Sequence, residues 1–227
     1  MDDYSVWTAG GTLLLFAPAV PPLQRQAVLD SLLYSQLRAN KVVGSRFLLY
    51  PSWYGQYRKE LSACGWLITQ FFHDAESASA RSVLAPSQPL RLWLDSQYAG
   101  ADSIIERGLA TLQGVPSSLD AFRRFTFQGH ACGTRVALEI GLVQPGPQVH
   151  LCSIALQTSA ALEQVGIERP LLAGALQGEI LVKGLSAQLD EQQFEPRRAQ
   201  LRVLIERKQQ EQLYLSNPGD VQGGDHE

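Results

Sequence analysis

The sequence predicts an α+β fold: a mixed helix/strand N-terminal half packed against a largely antiparallel β-meander C-terminal half. Three observations carry this. Apolar residues recur at helical spacing over 23–39, where Leu29, Leu32, Leu33 and Leu37 form one stripe and Arg25, Asp30, Gln36 and Arg38 fall elsewhere. A second helical stripe, Trp53, Tyr57, Leu61 and Cys64, leads into the apolar run Trp66–Phe72. From about Thr126 the apolar period changes to two. Residues 1–127 are therefore assigned to the mixed half, 128–216 to the antiparallel half, forming one compact unit with the first, and 217–227 to a disordered tail.

Along the chain, residues 5–16 read as a strand interrupted by Gly10-Gly11 and stopped by Pro18, Pro21 and Pro22. A helix follows over 23–39. Ser52 is the expected N-cap of the aromatic helix, and Gly65 its left-handed terminator. Residues 66–72 read as a buried strand. Residues 74–89, small, polar and twice interrupted by proline, read as a surface loop, and 90–95 as a short strand. Asp95 or Ser96 opens a helix that turns Ile104, Ile105, Leu109 and Leu112 inward and ends at Gly114. Residues 118–122 add one helical turn. Val136, Leu138, Ile140 and Leu142 then alternate with Arg135, Ala137, Glu139 and Gly141. Residues 179–189 and 199–206 read as further strands, the latter returning through a hairpin at 207–210 to 212–215.

Register follows from the turn Pro145-Gly146-Pro147. Setting Gln144 opposite Gln148 places Leu142 against His150, Ile140 against Cys152 and Leu138 against Ile154, so all apolar partners share one side. That register decides the most site-like motif in the chain, the repeated His-x-Cys of His130/Cys132 and His150/Cys152. Each pair presents an imidazole and a thiol on one strand face, and four such ligands suit zinc. Cys132, however, lies eight residues from the level of Cys152, on the order of 27 Å at ~3.4 Å per residue. Metal ligands must converge, so no metal or other cofactor is expected. The cysteines are assigned to the core and the histidines to its rim.

Composition excludes other classes. The 227 residues are 45% hydrophobic and 18% charged, with net charge −3, which argues for a globular core and against a nucleic-acid partner. Three cysteines without paired spacing do not form a disulfide framework. Met1-Asp2-Asp3-Tyr4 lacks a basic leader region, and no apolar run reaches the ~20 residues of a membrane span. A bacterial cytoplasmic location follows, with signal-less export left open. No P-loop, dinucleotide fingerprint, Gly-x-Ser-x-Gly or His-Glu-x-x-His occurs. Cys64, near a helix C-terminus, has the wrong dipole for a thiolate nucleophile.

The function read from these residues is a non-catalytic protein-interaction or assembly component, with an effector- or toxin-associated role within that range. Tyr50, Tyr54 (about 100° around the helix from the buried Trp53/Tyr57 stripe) and the cations Arg58 and Lys59 beside them are the expected binding residues for a protein partner. The alternative is a small hydrolase-type enzyme using His73/Asp74 or one His-x-Cys pair.

Overall fold

The computed structural model describes residues 4–78 and 83–221. Its strands are β1 (Ser5–Ala9), β2 (Thr12–Phe16), β3 (Trp66–Ser77), β4 (Val83–Leu84), β5 (Phe127–His130), β6 (Gly133–Gln144), β7 (Gln148–Thr158), β8 (Leu171–Leu172), β9 (Leu176–Leu189) and β10 (Leu215–Asp220). Its helices are α1 (Pro22–Val43), α2 (Tyr50–Ala63), α3 (Gln88–Gln97), α4 (Ala101–Gln113), α5 (Pro116–Thr126) and α6 (Glu191–Glu211). Eight strands form one sheet in the order β10-β1-β2-β6-β7-β9-β3, with β5 beside the start of β6. Pairing is antiparallel except between β2 and β6, and β4 and β8 form a separate two-stranded ladder. The α+β class is borne out, and a single sheet runs through both halves of the chain.

The β6–β7 register is the expected one over its full length, from Thr134↔Thr158 to Gln144↔Gln148. What differs is sidedness. Helices α1 and α2 cover one face, with α6 lying on α1; α3 and α4, with α5 beside α4, cover the other. On β9 the alternation is visible directly: Lys183 approaches Tyr54 of α2, whereas Gly184 abuts Trp93 of α3. A strand covered on both sides has no solvent face, so Ala137 and Glu139 are as buried as Leu138 and Ile140.

Gly10-Gly11 does more than interrupt a strand. It folds 5–16 into the β1–β2 hairpin, with Gly10 at φ 55. In α1, Asp30 and Gln36 are buried with the leucines, because α6 and the hairpin turn add partners on sides that a single stripe does not show. Ser52 lies exposed within α2 rather than capping it: the helix starts at Tyr50, with Pro51 in its first turn. Gly65, at φ 94, ends it as expected.

Four further segments depart from expectation. The strand at 66–72 continues to Ser77 and is mostly exposed, since β3 is the last strand of the sheet. Beyond Ser77 the expected loop carries β4 and the start of α3, while 79–82 lies outside the described residues. Residues 90–95 are helical. Leu90 and Leu94, one turn apart, are buried, and Leu92 is 65% exposed. A five-residue apolar alternation fits both periods, and Pro89 in the first turn selects the helix. Gly100, in a left-handed conformation, delays α4 to Ala101, and Asp95 Oδ1 accepts from the Gly100 and Asp102 N–H groups.

Residues 199–206 and 207–210, expected as a strand and its hairpin turn, lie within α6 (Glu191–Glu211). Asp190 caps it by accepting from the N–H groups of Gln192 and Gln193, and Arg202–Glu206 spans one turn. Only Phe194, Leu201 and Ile205 of α6 are buried, leaving Val203 66% exposed. The expected disordered tail contributes Asn217–Asp220 to β10, paired with β1; residues 222–227 lie outside the described residues.

Candidate functional site

A buried polar centre forms where α1, α2 and the β1–β2 turn meet the sheet. Glu139 of β6, 6% exposed, accepts from Thr12 Oγ1 at 2.7 Å and from Tyr57 OH at 3.1 Å. Gln36 of α1 donates from Nε2 to Thr12 Oγ1 at 2.9 Å and to the Ala9 carbonyl at 3.0 Å, while its Oε1 accepts from the Gly11 N–H at 3.2 Å. Tyr50 OH donates to Ser153 Oγ of β7 at 2.7 Å, and Ser153 in turn donates to the Lys183 carbonyl of β9. Burial raises the Glu139 pKa above the usual carboxylate value, against the hydrogen bonds from Thr12 and Tyr57 and the positive charge of Arg46. Burial likewise pushes the phenols of Tyr50, Tyr54 and Tyr57 up, so all three stay protonated at neutral pH.

This centre holds two of the residues expected to bind a partner. Tyr50 is 6% and Tyr54 1% exposed, so Tyr54 is not on an open groove; α2 buries its aromatic side around more than one stripe. The rings of Tyr50, Trp53, Tyr54 and Tyr57 form a contiguous cluster, Trp53 stacked between Tyr50 and Tyr57 with the Trp53 and Tyr57 centroids 5.1 Å apart, and Tyr54 edge-on to Tyr57. Arg58 and Lys59 remain at the surface, Lys59 exposed and Arg58 half-buried. The Arg58 guanidinium lies 3.7 Å from the ring centroid of Phe71 on β3, and Tyr54 packs beneath the same ring. Lys183 Nζ sits 5.5 Å from the Tyr54 ring, with its pKa lowered by burial and by Arg58. Tyr54, Arg58, Phe71 and Lys183 therefore form one corner beside the sheet edge.

The residues of the enzyme alternative do not converge. His73 and Asp74 are neighbours within β3, opposite Lys183 and Val182, so their side chains leave opposite faces. Cys132 is exposed in the turn between β5 and β6, contrary to the core assignment, and its N–H donates to His130 Nδ1 at 3.3 Å. Cys152 is buried as expected. His150 is buried rather than at a rim, with Nδ1 2.8 Å from Ser186 Oγ, and burial lowers its pKa. Among the described residues no group of three or more His, Cys, Asp or Glu side chains is placed to hold a metal ion.

Arg46, Glu139, Gln36, Phe71 and Lys183 were not singled out in the sequence. The available signal was the second face of β6. Ala137 and Gly141 flanking Glu139 are too small for a solvated strand face and fit a close-packed helix layer instead.

No helix among the described residues is long and apolar enough to cross a membrane. No family model matches the sequence, and no curated protein matches it. A solved structure named delta-endotoxin is similar to this chain at 10% identity and a TM-score of 0.44, over 78% of this chain and 80% of that one.

Proposed function

We propose that the chain is a non-catalytic protein-interaction component that takes up an extended, acidic segment of a partner protein along the outer edge of β3. The observation that carries this reading is the edge itself. β3 is twelve residues long and pairs with β9 on one side; among the described residues no strand pairs with its other side along 66–75, where Leu67 (53%) and Phe71 (41%) are exposed. A long edge strand with exposed apolar side chains templates the addition of another strand. Charge selects the occupant. On the side facing α2, Arg58 lies over Phe71 and Lys183 and His73 lie beside it, with Lys59 exposed on the same helix, whereas Glu60 of that helix is engaged by Gln56 and lies near Arg38. Asp74 leaves the opposite face. An added strand with carboxylates on alternate positions would place them against these cations while its backbone pairs with β3.

The test is selection of displayed twelve-residue linear peptides on the full chain. Acidic sequences with alternating apolar positions should be enriched, and their synthetic forms should bind Arg58→Glu and Phe71→Ala at least tenfold more weakly than wild type. Absence of enrichment, or binding indifferent to both substitutions, would overturn the reading.

A further inference from the structure

Between the β1–β2 turn and α2, Arg46 supplies an observation that partner docking does not use. Its guanidinium lies against the Cα of Gly11 in the β1–β2 turn, where any Cβ would overlap its terminal nitrogens. Gly11 has no positive φ, so it is space for this cation, not backbone conformation, that requires glycine there. Arg46 is only 8% exposed, with Phe47 and Trp53 ring centroids 5.4 and 5.7 Å away.

This buried cation is under-served. Among the described residues its one side-chain hydrogen bond, Nη1 to Gln36 Oε1, is 3.4 Å long, although a guanidinium carries five N–H donors. Among the described residues it makes no ion pair within 4.0 Å. Glu139 lies beyond a gap of about 10 Å³ lined also by Thr12, Tyr50 and Ser153. Burial dominates Arg46, lowering its pKa to about 10, and it stays charged at neutral pH.

On its open side Arg46 borders a cavity of about 400 Å³. Arg124 adds a second cation. Asn40, whose Oδ1 is taken by Trp53 Nε1, is left with its amide nitrogen as a donor. Phe47 and the stacked pair Phe125–Tyr214, with centroids 5.0 Å apart, wall the space, and among the described residues no carboxylate lines it. We infer that this cavity binds a small organic anion, a carboxylate or phosphate ester carried on an aromatic or apolar body. A guanidinium engages two oxygens of such a group in one plane, the anion supplies a direct ion pair where Glu139 acts on Arg46 only across the gap, and the aromatic walls take the body.

The test titrates phenyl phosphate, benzoate, neutral benzamide and inorganic phosphate into the full chain by calorimetry at 0.15 M salt. Phenyl phosphate and benzoate should bind at least tenfold more tightly than benzamide, and phenyl phosphate more tightly than inorganic phosphate. Arg46→Lys, which keeps the charge but not the fork, should weaken both aromatic anions at least tenfold. Arg124→Gln at the exposed rim should weaken them several-fold with the fold intact by circular dichroism, which keeps the test decisive if Arg46→Lys unfolds. Anions binding no better than benzamide, inorganic phosphate binding as tightly as phenyl phosphate, or an Arg124→Gln protein binding like wild type would each overturn the inference.

Discussion

Tyr54 and Tyr57 lie one turn apart on α2, both buried, with ring centroids 5.9 Å apart, yet their hydroxyls have opposite fates. Tyr57 OH donates to the Glu139 carboxylate, whereas Tyr54 OH is buried without an acceptor in hydrogen-bonding geometry. Phenylalanine at either position keeps the ring and removes one oxygen. Losing a hydrogen bond to a buried carboxylate costs about 1.5–3 kcal/mol, and among the described residues Glu139 would then retain only Thr12 as a side-chain donor. Deleting an unsatisfied buried hydroxyl removes a desolvation penalty, so Tyr54→Phe should match wild type or exceed it by up to ~1 kcal/mol. Urea unfolding at pH 7 separates the two. With a slope of roughly 2–3 kcal/mol/M, Tyr57→Phe should lower the midpoint by about 0.5–1.5 M with the slope unchanged, while Tyr54→Phe should not lower it. Equal effects within ~0.5 kcal/mol would refute the assignment of Tyr57 as the donor that holds Glu139.

The Glu139 carboxyl gives a pH signature. Because burial raises its folded pKa above 4.5, its contribution to stability is fully present below that pH and is lost as pH climbs through the raised value. The unfolding free energy of wild type minus that of Glu139→Gln, from urea melts, should therefore fall as pH rises above 4.5; a difference that grew with pH would mean that attraction to Arg46 outweighs burial. Gly184→Ala should cost about 1–3 kcal/mol and disturb the fluorescence of Trp93, since a Cβ there would meet the indole at 2.5 Å. A variant matching wild type in both respects would show that α3 does not sit on β9 as described.

Where one local rule governed a segment, the sequence was legible. The β6–β7 register followed from a single turn and an apolar alternation, and Gly65 ended α2 where a left-handed residue was needed. Legibility failed where the outcome depends on what covers an element. α6 buries only three side chains against its neighbours, too few to write a helical stripe, and Ala199, Leu201, Val203 and Ile205 mimic a strand. β3 is rich in aromatic and aliphatic residues like an interior strand, but nothing in its own sequence says that the sheet ends there. The polar centre draws residues 12, 36, 57 and 139 together, and Arg46 lies across a small gap from Glu139, so no local pattern announces it. Tyr54 is buried, against the sequence expectation, for the same reason: the offset of about 100° from Trp53 separates two faces of α2, and Phe71 with Lys183 covers the second.

The most direct test of the open edge is hydrogen exchange along β3 in the free chain, resolved residue by residue. Amides of β3 that donate to β9 should be protected, and the alternate amides of residues 66–75, which face away from β9, should exchange within seconds to minutes. On addition of a selected acidic peptide the fast set should slow by at least tenfold while β10, at the opposite edge, is unchanged. Uniform protection along β3 in the free chain would show that its edge is already covered and would contradict the docking account.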